Sequence, residues 1–176
     1  MPNYRRAYAP GGTWFFTVNL LQRRNNDLLV RHIHDLRAAV RRVMMRYPWH
    51  IDAWVVLPEH MHCVWTLPDG DHDYTTRWRL IKTGFSKCLP IGELRSKSRI
   101  LRGERGIWQR RYWEHQIRDE ADFARHIEYC YINPVKHGHV QAVVDWPYSS
   151  FHRDVASGLY APDWAGDVSL SVGGDA

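Results

Sequence analysis

Apolar and polar positions along this chain alternate with two different periods, and the order of the periods predicts an α+β domain. Thr13-Trp14-Phe15-Phe16-Thr17-Val18-Asn19-Leu20 is rich in aromatic and β-branched residues and follows the turn signal Pro10-Gly11-Gly12, so it predicts a first strand. From Asp27 to about Tyr47 the apolar residues Leu28, Leu29, Ile33, Leu36, Val40, Val43 and Met44 recur mostly at three- and four-residue steps. That spacing predicts one amphipathic helix, stopped by Pro48. Two further strands are expected at about 51–57 and 61–67, joined tightly at Pro58-Glu59 and closed by Asp69-Gly70-Asp71.

A second helix follows, capped by Thr75 or Thr76 and running to about Cys88, with Trp78, Ile81 and Phe85 as its buried stripe. Residues 90–106 are polar, arginine-dense and punctuated by glycine, and read as a mobile connection. Residues 107–117 predict a fourth strand. Asp119 or Asp122 then starts a third helix, which should end at Asn133-Pro134 because a residue before proline is steered away from helical dihedrals. From Trp146 onward no period is visible, so this part is expected to wrap over the surface. The order strand–helix–strand–strand–helix–strand is the ferredoxin-like split βαβ arrangement, here with an added C-terminal helix and an extended tail. With no internal repeat, it predicts a single domain over residues 1–168 and a disordered tail over 169–176.

Composition narrows the class. At 176 residues and 44 % hydrophobic content the chain can bury a sizeable core as one domain. It has no apolar run near the roughly eighteen residues that span a bilayer, and Met1-Pro2-Asn3-Tyr4-Arg5-Arg6 carries no signal-like stretch. Cys63, Cys88 and Cys130 are odd in number and widely spaced, which argues against a disulfide framework or a cysteine zinc site and suggests a reduced, cytoplasmic protein. Net charge is +5, and 20 of the 24 basic residues are arginine, leaving Lys82, Lys87, Lys97 and Lys136. Arginine pairs with phosphate through a planar fork, and the nine Trp and nine Tyr are potential stacking platforms for bases. By itself that balance is equally compatible with a basic, solvated surface around an aromatic core.

Candidate chemistry lies in two short constellations. His60 and His62 are two apart in a predicted strand, so both imidazoles project from one sheet face. Tyr129 and Asn133 are four apart in a predicted helix and also share a face. Two imidazoles and an amide oxygen can hold a divalent cation, and a nearby phenol supplies an oxygen nucleophile, a combination suited to metal-assisted attack on a phosphodiester. Tyr131 competes for the nucleophile role, but two helical residues turn a side chain by about 200°, away from Asn133. Glu59 is placed to orient a histidine. A lone His-x-His is also common as a hydrogen-bonded structural pair. His115 reads as structural, and His126, His137 and His139 are assigned no chemistry. Arg77, Arg79, Lys82 and Lys87 predict a phosphate-facing surface on the second helix, and Arg110 and Arg111 stand equally as DNA contacts or solvated surface.

These residues occur in longer matching segments. They include Tyr4-Arg5-Arg6, Gly11-Gly12-Thr13-Trp14-Phe15-Phe16-Thr17-Val18-Asn19 and Ala53-Trp54-Val55-Val56-Leu57-Pro58-Glu59-His60-Met61-His62. Trp108-Gln109, Tyr112-Trp113-Glu114-His115, Ile132-Asn133-Pro134-Val135-Lys136-His137-Gly138 and Trp146-Pro147-Tyr148-Ser149-Ser150-Phe151 continue the set. Over most of its length the chain resembles the REP-associated tyrosine transposases, a branch of the single-tyrosine HUH transposases. One departure is Cys130 after Tyr129, where that family usually carries isoleucine.

The resemblance implies a metal-dependent nickase and strand transferase for single-stranded DNA, acting beside hairpin-forming repetitive extragenic palindromes. It implies a 5′-phosphotyrosine intermediate on Tyr129, Mg²⁺ or Mn²⁺ on His60, His62 and Asn133, and DNA contacts that include Arg5 and Arg6. The implied partner is hairpin DNA, with no membrane and no small-molecule substrate. The alternative is a hairpin-binding regulatory protein on the same scaffold, with little or no cleavage.

Overall fold

A computed structural model of the chain describes residues 9–173. Strands β1 (Thr13–Asn19), β2 (His50–Val56), β3 (His60–Thr66) and β4 (Trp113–Gln116) form one antiparallel sheet in the order β2-β3-β1-β4. This is the expected α+β fold with split βαβ connectivity. β1 and β3 are central and pair residue for residue from Thr13 opposite Thr66 to Asn19 opposite His60. Because strand side chains alternate, each central strand divides its residues between two layers. Trp14, Phe16, Val18, Met61, Cys63 and Trp65 face one layer, while Phe15, Val64, Ala53 and Val55 face the other.

The first layer is built by α1 (Leu28–Arg31), α2 (Ile33–Arg46) and α3 (Tyr74–Cys88), with Leu36, Val40, Val43, Trp78, Ile81 and Phe85 buried against the sheet. Trp65 and Trp78 stack with ring centres 4.2 Å apart, and Trp49 lies 4.7 Å from Trp65. Burial of each such side chain contributes about 1.5–3 kcal/mol. The second layer is α5 (Glu120–Lys136), packed on β2 and β3, together with α6 (Phe151–Ala156).

Several local expectations are corrected. The predicted single helix at 27–47 is two helices, broken at His32 (φ −109°, ψ 34°), whose ring Nδ1 lies 3.2 Å from Asp35. The cap of α3 is Asp73, which accepts from Thr76 N–H, rather than Thr75 or Thr76. The connection expected to be mobile contains the short helix α4 (Lys97–Leu101) and is pinned by Arg105, which donates to the carbonyls of Ser86, Leu89 and Pro90 and to Glu93. β4 is shorter than expected. Upstream of it, only a bridge between Leu20 and Trp108 joins the sheet, and Arg110 and Arg111 are exposed. Residues 169–173, expected to be disordered, lie against α5: Val172 is buried, Lys136 Nζ donates to the Leu170 carbonyl at 3.1 Å, and Arg125 donates to that of Ser171 at 2.6 Å.

Arg77 also departs from expectation. It is 2 % exposed and donates to the carbonyls of Tyr47, Pro48 and Asp73 and to the carboxylate of Asp71. It therefore clamps the end of α2 to the start of α3 and, buried there, is not presented to a phosphate. Arg77→Ala should lower stability by about 3 kcal/mol in urea unfolding, because it leaves buried acceptors without a donor. Arg79→Ala, on the exposed side of the same helix, should change it by no more than about 0.5 kcal/mol. Equal effects of the two would show that the clamp contributes nothing.

Candidate metal and tyrosine centre

The site forms where β3 passes under α5. His60 and His62 alternate toward the helix, both buried, with ring centres 4.9 Å apart. Each ring is oriented through Nδ1. His60 Nδ1 donates to Glu59 at 2.9 Å, and His62 Nδ1 is 2.9 Å from the hydroxyl of Thr17, its cross-strand partner. With Nδ1 engaged, Nε2 is the nitrogen each ring has left for a ligand, and that of His62 is buried without a partner. A carboxylate on the far nitrogen of a ligating histidine is the usual way such a ring is held and made more basic.

Helix α5 supplies the other groups. Asp119 starts it by accepting from Asp122 N–H, and acidic Glu120 and Asp122 in the first turn suit its positive end. The helix does not stop before Pro134 as expected. It runs on to Lys136, and Gly138 (φ 72°) follows its end. Pro134 forfeits one helical hydrogen bond, yet Asn133 stays helical and on one face with Tyr129. The Tyr129 ring centre is 5.1 Å from that of His62, and Lys136 Nζ lies 4.9 Å above the Tyr129 ring. Tyr131 is turned to the opposite side, where its hydroxyl donates to Asp154, with Ser150 3.3 Å away. Burial and the neighbouring Asp154 push the Tyr131 hydroxyl well above its usual range.

Electrostatics match a cation site. Burial, together with the neighbouring His60, His137, Lys136 and Arg23, pushes His62 well below its ordinary value, so its ring is a neutral donor. Burial alone would raise Glu59, but its hydrogen bond to His60, the charge of that ring and Arg23 hold the carboxyl down at about 2. Among the described residues, His62 Nε2 and both side-chain amide atoms of Asn133 are buried with no hydrogen-bond partner. Buried polar atoms are rarely left so; a cation would satisfy His62 Nε2 and the Asn133 amide oxygen, and an acceptor on a substrate the amide nitrogen. The donor set therefore fits a divalent metal. A separate group, His115, Asp122 and His126, also brings ligand atoms together.

Two residues here were missed in the sequence. Asn19, opposite His60, carries a buried, unpartnered Oδ1, and the His137 ring lies 5.3 Å from that of His60. Strand alternation on Thr17 and Asn19 could have signalled the first, and the continuation of α5 past Pro134 the second.

The basic residues divide. Arg79, Lys82, Lys87 and Arg110 line one open groove of about 920 Å³, together with Arg99 and Arg102. Lys82 Nζ donates to the Gln109 carbonyl at 3.0 Å between the rings of Trp108 and Tyr112, and burial pushes it down to about 8. Arg110 is paired with Glu104 at 3.0 Å, and Arg111 is exposed outside the groove lining. Arg77 is internal, as described above. Arg5 and Arg6 lie outside the described residues.

No protein-family model matches the chain. Whole-chain relatives do. A REP-associated tyrosine transposase of Escherichia coli (strain K12) is 54 % identical over 169 residues, which is 96 % of this chain and 94 % of that one. A Haemophilus influenzae (strain Rd) protein assigned to the same family is 46 % identical over 99 % of each chain. This chain belongs to the REP-associated tyrosine transposases. A solved structure of such a transposase bound to a REP hairpin superposes with a TM-score of 0.86 at 52 % identity, covering all of this chain and 98 % of that one. The α+β fold is thus the family's fold, and the chain is a tyrosine transposase.

In this transposase Asn133→Ala should weaken Mn²⁺ binding, read by the EPR signal of free Mn²⁺, and Asn133→Gln should recover part of it by restoring an amide oxygen. Glu59→Gln, which removes the charge behind His60, should cost about ten- to a hundredfold in the same measurement. Unchanged Mn²⁺ affinity in Asn133→Ala would leave a site of two histidines alone.

Proposed function

We propose that this transposase nicks and rejoins single-stranded DNA beside REP-type hairpins, through a covalent bond between Tyr129 and a 5′ phosphate. The observation that carries the reading is the separation of the two tyrosines: Tyr129 packs on His62, and Tyr131 is held by Asp154. The hairpin bound in the solved structure of a similar transposase supports the substrate class.

In this reading His60, His62 and Asn133 hold Mg²⁺ or Mn²⁺. When bound, the cation polarises the phosphodiester and neutralises charge growing on the departing 3′ oxygen. Glu59 and Thr17 hold the two rings through Nδ1, which leaves Nε2 as the nitrogen for the cation. The Tyr129 oxygen attacks phosphorus, the Tyr–O–P bond forms and the P–O3′ bond breaks. The phenol loses its proton and the released strand end becomes a 3′ hydroxyl. A 3′ hydroxyl attacking the same phosphorus reverses the step and rejoins DNA. The ammonium of Lys136 over the Tyr129 ring adds positive charge where the phosphate arrives.

The groove between α3 and residues 99–112 is the proposed seat for DNA. Its cations would neutralise phosphates, and the half-buried Tyr112 beside Lys82 offers an aromatic face. No helix among the described residues is long and apolar enough to cross a membrane. A DNA substrate supports a cytoplasmic location.

The test is incubation of end-labelled hairpin DNA with Mn²⁺, followed by a denaturing gel. The parent should give a nicked strand and a protein–DNA adduct, and EDTA should abolish both. Tyr129→Phe should keep hairpin binding and lose nicking and adduct, while Tyr131→Phe should keep all three. An adduct on Tyr129→Phe would assign the attack elsewhere, and binding without cleavage by the parent would favour a regulatory protein.

The same site demands an unpaired phosphodiester, because the two histidines of β3 and the tyrosine of α5 are buried where strand and helix meet. A hairpin with a single-stranded flank should therefore be cut, and the fully paired duplex of the same sequence should not. Equal cutting of both, quantified on the same gel, would refute this.

A further inference from the structure

We propose that His115, Asp122 and His126 form a second metal site, selective for a transition-type ion such as Zn²⁺ or Ni²⁺ and distinct from the His60–His62 centre. One ligand atom from each residue can be chosen so that all three lie within 4.8 Å of one another. Ligand atoms on opposite sides of a single ion, each about 2.1 Å from it, span about 4.2 Å, so small side-chain shifts close the site around an ion.

Two elements build it. His115 sits on the edge strand β4, directly opposite Phe15 of β1, and Asp122 and His126 are one turn apart on α5. The two imidazoles stack almost parallel, with ring centres 4.7 Å apart and planes at 14°. Both present a nitrogen to the same carboxylate: His115 Nε2 is 2.8 Å from Asp122 Oδ2, and His126 Nδ1 is 3.1 Å from Oδ1. The carboxylate is itself fixed by Arg118 N–H, which donates to Oδ2 at 3.0 Å.

The donors are in the right state. Burial would raise Asp122, but its hydrogen bonds to His115 and Arg118 N–H and the nearby rings hold it below the usual carboxylate range. Burial lowers His126, which keeps that ring neutral. Without an ion, protons on His115 Nε2 and His126 Nδ1 bridge the rings to the carboxylate, and His126 Nδ1 also reaches the Asp122 carbonyl at 2.7 Å. The ion takes the place of those protons. An imidazole that ligates through its inner nitrogen carries its proton on the outer one. Two imidazoles and one carboxylate favour Zn²⁺, Ni²⁺ or Co²⁺ over Mg²⁺, which prefers oxygen ligands. His115 and Asp122 are half-buried, leaving access for the ion and for water to complete its shell.

The two centres share a wall and no ligand. Phe15 stacks on His62 with ring centres 5.7 Å apart and lies 4.8 Å from the His126 ring. An ion at His115–Asp122–His126 would tie the sheet edge to the first turns of the helix that carries Tyr129.

The test is Zn²⁺ titration of the whole chain, with bound metal counted after gel filtration and melting followed by circular dichroism. The parent should retain two equivalents, and His115→Ala should retain one. His60→Ala/His62→Ala should also keep one, with a Zn²⁺-induced rise in melting temperature that a large excess of Mg²⁺ does not remove. Adding His115→Ala or the near-isosteric Asp122→Asn to that pair should abolish both the bound equivalent and the rise. Asp122→Asn preserves shape, so its metal-free melting curve separates a lost ligand from a lost fold. A parent that binds a single equivalent, or a His115→Ala chain that keeps two, would overturn the proposal.

Discussion

The antiparallel pairing of β1 with β3, from Thr13 opposite Thr66 to Asn19 opposite His60, sets which side chains meet α5 and which meet α2 and α3. It delivers Thr17 to His62 and Asn19 to His60 in one register. A slip of one residue would send both imidazoles into the tryptophan layer and bring Met61 and Cys63 to face Tyr129. That register is held from the other layer. Trp14, Phe16, Trp65 and Trp78 are all buried there, and none of them could face α5 without opening the larger core. The polar site on one face is thus secured by aromatic packing on the other.

This division explains how a domain of 176 residues tolerates two buried histidines and a buried asparagine with unsatisfied amide atoms. Each such group costs about 1–3 kcal/mol while it has no partner. The cost falls where local rules are also broken: a proline within α5 and imidazoles in the middle of a sheet. Departures from local consistency concentrate at functional sites because the chemistry requires them. A cation or a DNA phosphate that satisfies those atoms returns the cost as binding free energy, so ligand-free stability and ligand affinity oppose each other here.

The alternation around His60 and His62, the stripe Trp78, Ile81 and Phe85, and the four-residue spacing of Tyr129 and Asn133 were legible in the sequence because each depends on one element's period. What was not legible depends on pairs of elements. Arg77 reads as a surface cation until the carbonyls ending α2 are seen beside it. The break at His32 interrupts an apolar period that continues across it. Pro134 argues locally for a helix end, and packing of α5 on β2 and β3 overrides it. His115 reads as a lone histidine, and the structure pairs it with an aspartate seven residues away only because β4 and the first turn of α5 fold back on each other.

The basic groove lies on the α3 side of the sheet, across from the histidines, and one residue links it to the strand end beside them. Gln109, in the groove wall, donates its N–H to the Asn19 carbonyl at 3.1 Å, and Asn19 is the strand partner of His60. The groove side of Gln109 carries Lys82 at its carbonyl, so a single residue joins the cationic lining to the end of β1 beside the metal ligands. The Gln109 backbone is thus held on both sides, through its N–H by Asn19 and through its carbonyl by Lys82. If the groove seats DNA as proposed above, the strand must round the end of β1 to reach the histidines, because groove and histidines lie on opposite faces of the sheet.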